Sequence, residues 1–404
     1  MFVPRVTWPQ GDPLGPEFRV NTYTTGFQSS PSVASDSSGN FVVAWAGYQQ
    51  GAGSEIIAQR YGSSGAPLGP EFQINTYTPD NQFAPAVASN PSGNFVVVWH
   101  GFAQDGSSGG VFGQRYSSSG APLGPEFRVN TYTTDNQVLP TVASDADGNF
   151  VVVWMSLGQD GANYGLFGQR YSSSGAALGP EFRVNTYTTS NQYQQAVASD
   201  PAGNFVVVWD SFSQDGSAGV FGQRYSSSGA PLGPEFRVNT YTTNAQAIPS
   251  VASDAAGNFV VVWTSYTQDG SLNGIFGQRF SGGGAPAGPE FRVNTYTAGN
   301  QFITAVASDP SGNFVVVWES DLQDGSNRGV FGQRYSSTGA PLGPEFRVNT
   351  YTTDRQSVPT VTSDAAGNFV VVWESYLQDG SDRGVFGQRY SQIVPVELMQ
   401  FQVE

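Results

Sequence analysis

A run of five apolar residues ending in tryptophan recurs seven times, at Trp45, Trp99, Trp154, Trp209, Trp263, Trp318 and Trp373. The spacing is always 54 or 55 residues. In its commonest form the run is Phe-Val-Val-Val-Trp, as at Phe205 to Trp209. Five consecutive β-branched and aromatic residues bounded by turn residues predict a strand buried on both faces. A helix is excluded by the short length and by the Gly-Asn pair just before each run. A fixed period of this size overrides the domain count that length alone would suggest.

Each period adds the same companions. A Glu-Phe strand with alternating polarity begins at Glu17, Glu71, Glu126, Glu181, Glu235, Glu290 and Glu345. A loop glutamine follows, then a strand of small residues such as Ala196-Val197-Ala198-Ser199. Pro201-Ala202-Gly203-Asn204 supplies a hairpin turn before the tryptophan strand. A Gln-Asp-Gly-Ser loop then leads to a strand ending Gly-Gln-Arg-Tyr. Four short antiparallel strands per repeat and no helix describe the blade of a β-propeller. Two-sided apolar strands require blades that stack on one another. The expected architecture is all-β: one seven-bladed propeller over residues 16–390. An atypical segment, 1–15, precedes it and a strand-like tail, 391–404, follows it. The first strand is a Glu-Phe strand and the last ends at Tyr390, so residues 17–22 are expected to complete the last blade. That pairing closes the ring and removes an open sheet edge.

Composition excludes several functions. The net charge is −15, and all seventeen basic residues are arginine. An acidic chain without a basic cluster argues against nucleic acid and anionic membranes as partners. No apolar stretch is long enough to span a bilayer. The absence of cysteine removes disulfides and thiolate chemistry. The chain is expected to be a mature protein whose export signal is not part of it.

Antiparallel order sorts the loops onto two faces. The Ser-Asp-x-x-Gly-Asn and Ser-Ser-Ser-Gly-Ala-Pro loops share one face and hardly change between copies. The other face varies. Beside the loop glutamine stand Phe27, Phe83, Val138, Tyr193, Ala247, Phe302 and Ser357. Three residues after each tryptophan stand Tyr48, Phe102, Leu157, Phe212, Tyr266, Asp321 and Tyr376. Directly after it stand Ala46, His100, Met155, Asp210, Thr264, Glu319 and Glu374. Loops held by a rigid frame commonly carry binding residues. The ligand-binding candidates are therefore Tyr48, Phe83, Phe102, Tyr193, Phe212, Tyr266, Phe302, Tyr376, Asp210, Glu319 and Glu374. The alternative is that these rings only cover strand ends.

Two repeated polar motifs read as scaffold. Asp105, Asp160, Asp215, Asp269, Asp324 and Asp379 occupy the Gln-Asp-Gly-Ser loops, which blade one lacks at Gln49-Gln50-Gly51. They are the candidates for Ca²⁺, but one carboxylate per loop is few against six to eight oxygen ligands. A turn bonded to nearby N–H groups is the competing reading, and no cofactor is otherwise called for. Arg115, Glu126 and their counterparts recur in every blade, which suggests structural pairing of about 0–1 kcal/mol. His100 is the one histidine, so a Ser-His-Asp triad has little to draw on. A carboxylate pair for glycoside hydrolysis is conceivable among Asp210, Glu319 and Glu374.

The combined string Gly-Asn-Phe-Val-Val-Val-Trp, Gln-Asp-Gly-Ser, Gly-Gln-Arg-Tyr and Glu-Phe-Arg-Val-Asn-Thr resembles repeats of large secreted bacterial proteins. These are of the adhesin type, associated with cadherin-like and repeats-in-toxin modules. The resemblance covers about residues 15–390 and implies a secreted or cell-surface setting, without bringing a ligand or catalytic residues. The expected function is a non-enzymatic adhesion module with repeated sites for a glycan or a surface protein. The alternatives are a structural module of a surface assembly and a glycoside hydrolase or lyase.

Overall fold

The computed structural model describes residues 13–48, 53–380 and 382–392. The expected strand around Arg5 to Trp8, most of the blade-one loop, and the tail from residue 393 lie outside them.

Seven four-stranded antiparallel sheets form a closed ring. Blade 2 shows the pattern: an inner strand Gln82–Ser89, the tryptophan strand Phe95–Phe102, a third strand Gly109–Tyr116, and an outer strand Phe127–Arg128. Inner strands of neighbouring blades face one another around the axis. The last sheet holds strands Gln356–Ser363, Phe369–Tyr376 and Arg383–Tyr390, and its outer strand is Phe18–Arg19 from the chain's beginning. Phe18 pairs with Gly387, as expected for closure through residues 17–22.

The outer strands are shorter than the alternating pattern predicts. Each is two residues long because an asparagine side chain then replaces the backbone ladder. In blade 2, Asn130 Oδ1 accepts the Val111 N–H at 2.7 Å, while its Nδ2 donates to Tyr132 O. The glycine of Gly-Gln-Arg-Tyr has a steric cause. A Cβ on Gly113 would lie 2.8 Å from the Phe127 ring, so the ring covers bare backbone.

The core is seven cores, one per blade interface. Trp99, Val97 and Phe95 of blade 2 pack on Ala44, Ala46 and Ile56 of blade 1. Trp45 and Val43 pack on Val370, Val372 and Val385 of blade 7. All seven strand tryptophans are at most 1% exposed. Phe41 and Tyr61 stack at 4.7 Å, and Phe18 of the neighbouring blade leans on both. Neither face of a blade could be left in water, so the ring is the arrangement that buries them all.

The constant face is sewn together by the repeated residues. Arg115 donates to Ser173 O of the next blade at 2.7 Å, and Arg389 does the same to Ser63 and Ser64 across the closure. Toward the other face, Glu126 accepts from Thr76 N–H of the preceding blade and from Gln104 in the Gln-Asp-Gly-Ser loop of its own. The arginines and glutamates thus hold loops rather than each other.

Candidate functional site

The variable face is built on a bulge. In every inner strand one extra residue sits between the loop glutamine and the small residues. That residue is left-handed in all seven blades: Ser30, Ala84, Leu139, Gln194, Ile248, Ile303 and Val358 have φ between 47° and 55°. Three of these are β-branched, for which this conformation is costly.

The residue after the tryptophan reaches the bulge of the next blade. Glu319 accepts the Val358 N–H at 2.7 Å, and Glu374 accepts that of Ser30 at 2.7 Å. Asp210 accepts from Ile248 at 3.4 Å, and His100 Nδ1 from Leu139 at 3.5 Å. These four side chains therefore lie beneath the face. Asp210, Glu319 and Glu374, ligand-binding candidates by sequence, are all buried, Glu319 completely.

Burial sets their electrostatics. It pushes Asp210 up to about 7, only partly opposed by the Ile248 N–H. Glu319 and Glu374 are also raised by burial. Backbone N–H groups and guanidinia oppose it: Arg355 and Arg328 beside Glu319, Arg383 and Arg355 beside Glu374. His100 is pushed down to about 4 by burial.

Above this layer the aromatic candidates form local groups. His100, Phe83 and Phe102 meet with centroids 5.8 to 6.0 Å apart. Tyr193 contacts Phe212 and Tyr164 at 5.7 Å, over Asp210. Tyr48 lies against Phe27 at 6.0 Å. Phe302 and Tyr376 carry arginines: Arg328 at 4.4 Å from the Phe302 centroid, and Arg383 and Arg355 at 4.8 and 5.6 Å from that of Tyr376. Tyr266 stands exposed. The copies are thus not equivalent sites: blades 2 and 4 offer rings with no guanidinium against them, blades 6 and 7 rings with arginines.

Arg328, Arg355 and Arg383 are residues that sequence reasoning missed. Arg328 contacts Glu319 at 3.2 Å and Asp321 at 3.1 Å. Arg383 stands 3.5 Å from Glu374, and Arg355 3.9 Å from Glu319. A signal existed in the sequence. Apart from Arg5, these are the arginines that fall outside the two fixed places of the repeat.

The loop aspartates take turn positions. Asp105 accepts from Ser107 N–H at 3.1 Å and from Asn130 at 3.2 Å. Asp160, Asp269 and Asp324 make the same pair of bonds; Asp379 accepts from Asn21; Asp215 accepts from Ser217 and lies 4.0 Å from Arg237. Among the described residues, no three His, Asp or Glu side chains gather as a metal set. Several clefts lie elsewhere, on the constant face. One of about 330 Å³ is lined by Asp145, Asn149, Arg170 and Ser227. Its polar groups are already bonded, Asp145 to Asn149 and Arg170 to Ser227 O, so the reactive groups and that cleft do not coincide.

No family model and no curated protein matches the sequence. Solved structures do. An α-L-arabinanase of Penicillium chrysogenum complexed with arabinobiose matches at TM-score 0.51 and 11% identity, over 92% of this chain and 98% of that one. The α-L-arabinofuranosidase of Fusarium graminearum matches at TM-score 0.50 and 9% identity, over 93% and 98%. The β-propeller domain of the Trilobed protease of Pyrococcus furiosus, described as having an open velcro topology, matches at 0.52 and 9%, over 95% and 100%. At such identity the likeness establishes the fold: a seven-bladed propeller, here closed by its first strand. It also corrects the expectation of a non-enzymatic adhesion module. Two of these three similar frames carry sugar-cleaving enzymes, so a propeller of this shape without a familiar motif is no argument against catalysis. The chain is an all-β seven-bladed β-propeller.

Proposed function

We propose that this protein is a glycoside hydrolase acting at the variable face. One observation carries the reading. Three carboxyl groups occupy the same structural position on that face, and their surroundings treat them differently. Glycoside hydrolysis uses one protonated and one ionised carboxyl group, and such roles are assigned by environments that push the two apart. Asp210 has no guanidinium partner and is held up to about 7 by burial, which suits an acid. Glu319 and Glu374 lie beside arginines that favour the ionised form, which suits the base or nucleophile. Tyr193 and Phe302 stand opposite Asp210 and Glu319 in the strand register and Tyr376 two residues beyond Glu374, and rings of this kind stack on sugar faces. Substrate reaches the carboxyl groups when the covering rings and guanidinia turn aside. The setting we infer is extracellular, from the likeness of the repeats to secreted adhesin-type proteins.

The test is reducing-sugar release from a panel of plant and bacterial polysaccharides, arabinan included. The wild type is expected to cleave at least one. Asp210→Asn and either Glu319→Gln or Glu374→Gln are expected to lower that rate at least a hundredfold while the protein stays folded. Cleavage that survives all three substitutions removes the assignment. A wild type inert on the whole panel removes the reading.

A further inference from the structure

The arginine cluster of blades 6, 7 and 1 carries a more specific inference. Parallel bridges between neighbouring blades set its backbone positions side by side: Arg328 beside Arg355, and Arg383 beside Phe27. Three guanidinia are thereby gathered along one arc of the variable face, in a chain of net charge −15. The corresponding third-strand positions elsewhere are Ser54, Gly109, Tyr164, Ala218 and Asn273, all uncharged. Where blade 7 has Arg355, blades 2, 3, 4 and 6 have Asn81, Asn136, Asn191 and Asn300.

Donors and acceptors are out of balance there. Glu319 spends one oxygen on Val358 N–H and the other on Arg328. Glu374 spends one oxygen on Ser30 N–H. Arg328 is satisfied by Glu319 and Asp321. Arg355 and Arg383 are not: the Nε of each is buried without a hydrogen-bond partner. Their nearest carboxylates stand at 3.9 and 3.5 Å. Both guanidinia are held over the Tyr376 ring, and Arg383 also over Phe27. Stacking of this kind fixes the plane of a guanidinium while leaving its edge free. Two oriented forks with unused donors fit a group that only accepts. A neutral diol would bring its own donors to a place already crowded with them. The overall negative charge does not forbid an anion, because at physiological salt distant charges are screened beyond about 8 Å.

We infer that Arg355 and Arg383 bind the carboxylate of an acidic sugar, a uronate unit of a polysaccharide, with Tyr376 and Phe27 as the flanking rings. This rests on the carbohydrate reading above and names its substrate class. Bidentate guanidinium–carboxylate pairing supplies the specificity.

Direct binding, which needs no turnover, separates the two ideas. The probes are tetramers of galacturonate, glucuronate, mannuronate and guluronate, and the methyl ester of any that binds, measured by calorimetry at 150 mM salt. At least one uronate tetramer is expected to bind, with its ester at least tenfold weaker. Arg355→Gln and Arg383→Gln are each expected to weaken it at least tenfold, with melting temperature unchanged within a few degrees. Binding of none of the four overturns the inference. So does equal binding of the ester, or affinity unchanged in both arginine variants. Uronate binding without any cleavage would leave this inference standing and end the hydrolase reading.

Discussion

Blade 2 and blade 4 place opposite chemistries in one position. His100 follows the tryptophan in blade 2 and Asp210 in blade 4. Each accepts the N–H of a left-handed bulge residue in the next blade, Leu139 and Ile248. Each has lost its usual charge for the same reason. Burial pushes the base down to about 4 and the acid up to about 7, so both are mostly neutral between about pH 5 and 6. What these two side chains share is an acceptor rather than a charge; Ala46 and Met155 at the same position show that the bulge forms without one. Blades 6 and 7 differ because arginines accompany their glutamates. The comparison teaches that a charged residue on a propeller face is defined by its neighbours across the blade boundary.

The largest expected effect tests that contrast at its charged end. Glu319→Ala leaves Val358 N–H without its acceptor and Arg328 without one of its two carboxylates. Removing one partner of a fully buried pair costs about 3–5 kcal/mol. Arg328 is partly exposed, with 26% of its side-chain surface open, and can recover some hydration. The expected loss is therefore about 2–3 kcal/mol in denaturant unfolding. Asp210→Ala, which breaks no ion pair, is expected to cost about 1 kcal/mol. Equal losses at the two positions would erase the distinction between the blades.

The neutral end is sharpened by pH. Asp210 is raised in the folded state, so its contribution is complete below its unfolded value, near 4, and is lost as pH rises toward 7. His100 is lowered, so its contribution is complete above its unfolded value, near 6.5, and is lost as pH falls toward 4. The two slopes oppose each other over the same window. Asp210→Asn is expected to make stability rise more steeply from pH 4 to 7 than in the wild type, and His100→Gln to make it fall. Each change should be on the order of 2–3 kcal/mol across the window. Parallel curves for wild type and both variants would mean that neither group changes its proton on unfolding.

Much of the fold was legible, and for a clear reason. A two-sided apolar strand repeated seven times admits few arrangements, and the order of strands at Glu17 and Tyr390 dictates the closure. The site was legible only in outline. The pattern placed Asp210, Glu319 and Glu374 on one face but could not bury them, because their partners are bulge residues of the next blade. A bulge at Val358 or Ile248 has no signature in propensity; a β-branched residue there argues against it. Arg328, Arg355 and Arg383 lie about half a repeat apart in the chain and at two different repeat positions. Only the bridges between blades bring them together. They could have been found by asking which arginines break the repeat, a question that composition does not prompt.

The same question asked of blade 1 exposes a substitution in two parts, and it yields the smallest expected effect. Blades 2 to 7 have a loop aspartate and, at the second position of the third strand, a glycine. In blade 2 a Cβ on Gly110 would stand 2.6 Å from Asp105 Oδ2, so the carboxylate requires the glycine. Blade 1 lacks the aspartate and has Glu55 at the glycine position. Glu55 bonds Asn75, the counterpart of the Asn130 that Asp105 serves in blade 2. The carboxylate has moved from loop to strand and kept its partner. Glu55→Gly is then expected to cost about 1 kcal/mol, since Asn75 Nδ2 still donates to Tyr77 O at 2.9 Å. In blade 2, Gly110→Glu alone is expected to destabilise through the clash with Asp105, and adding Asp105→Ala to recover most of the loss. A double-mutant cycle reads this as a coupling of about 1 kcal/mol. Strict additivity would mean that the two halves of the exchange are unrelated drift, and that a break in the repeat is no guide to a contact.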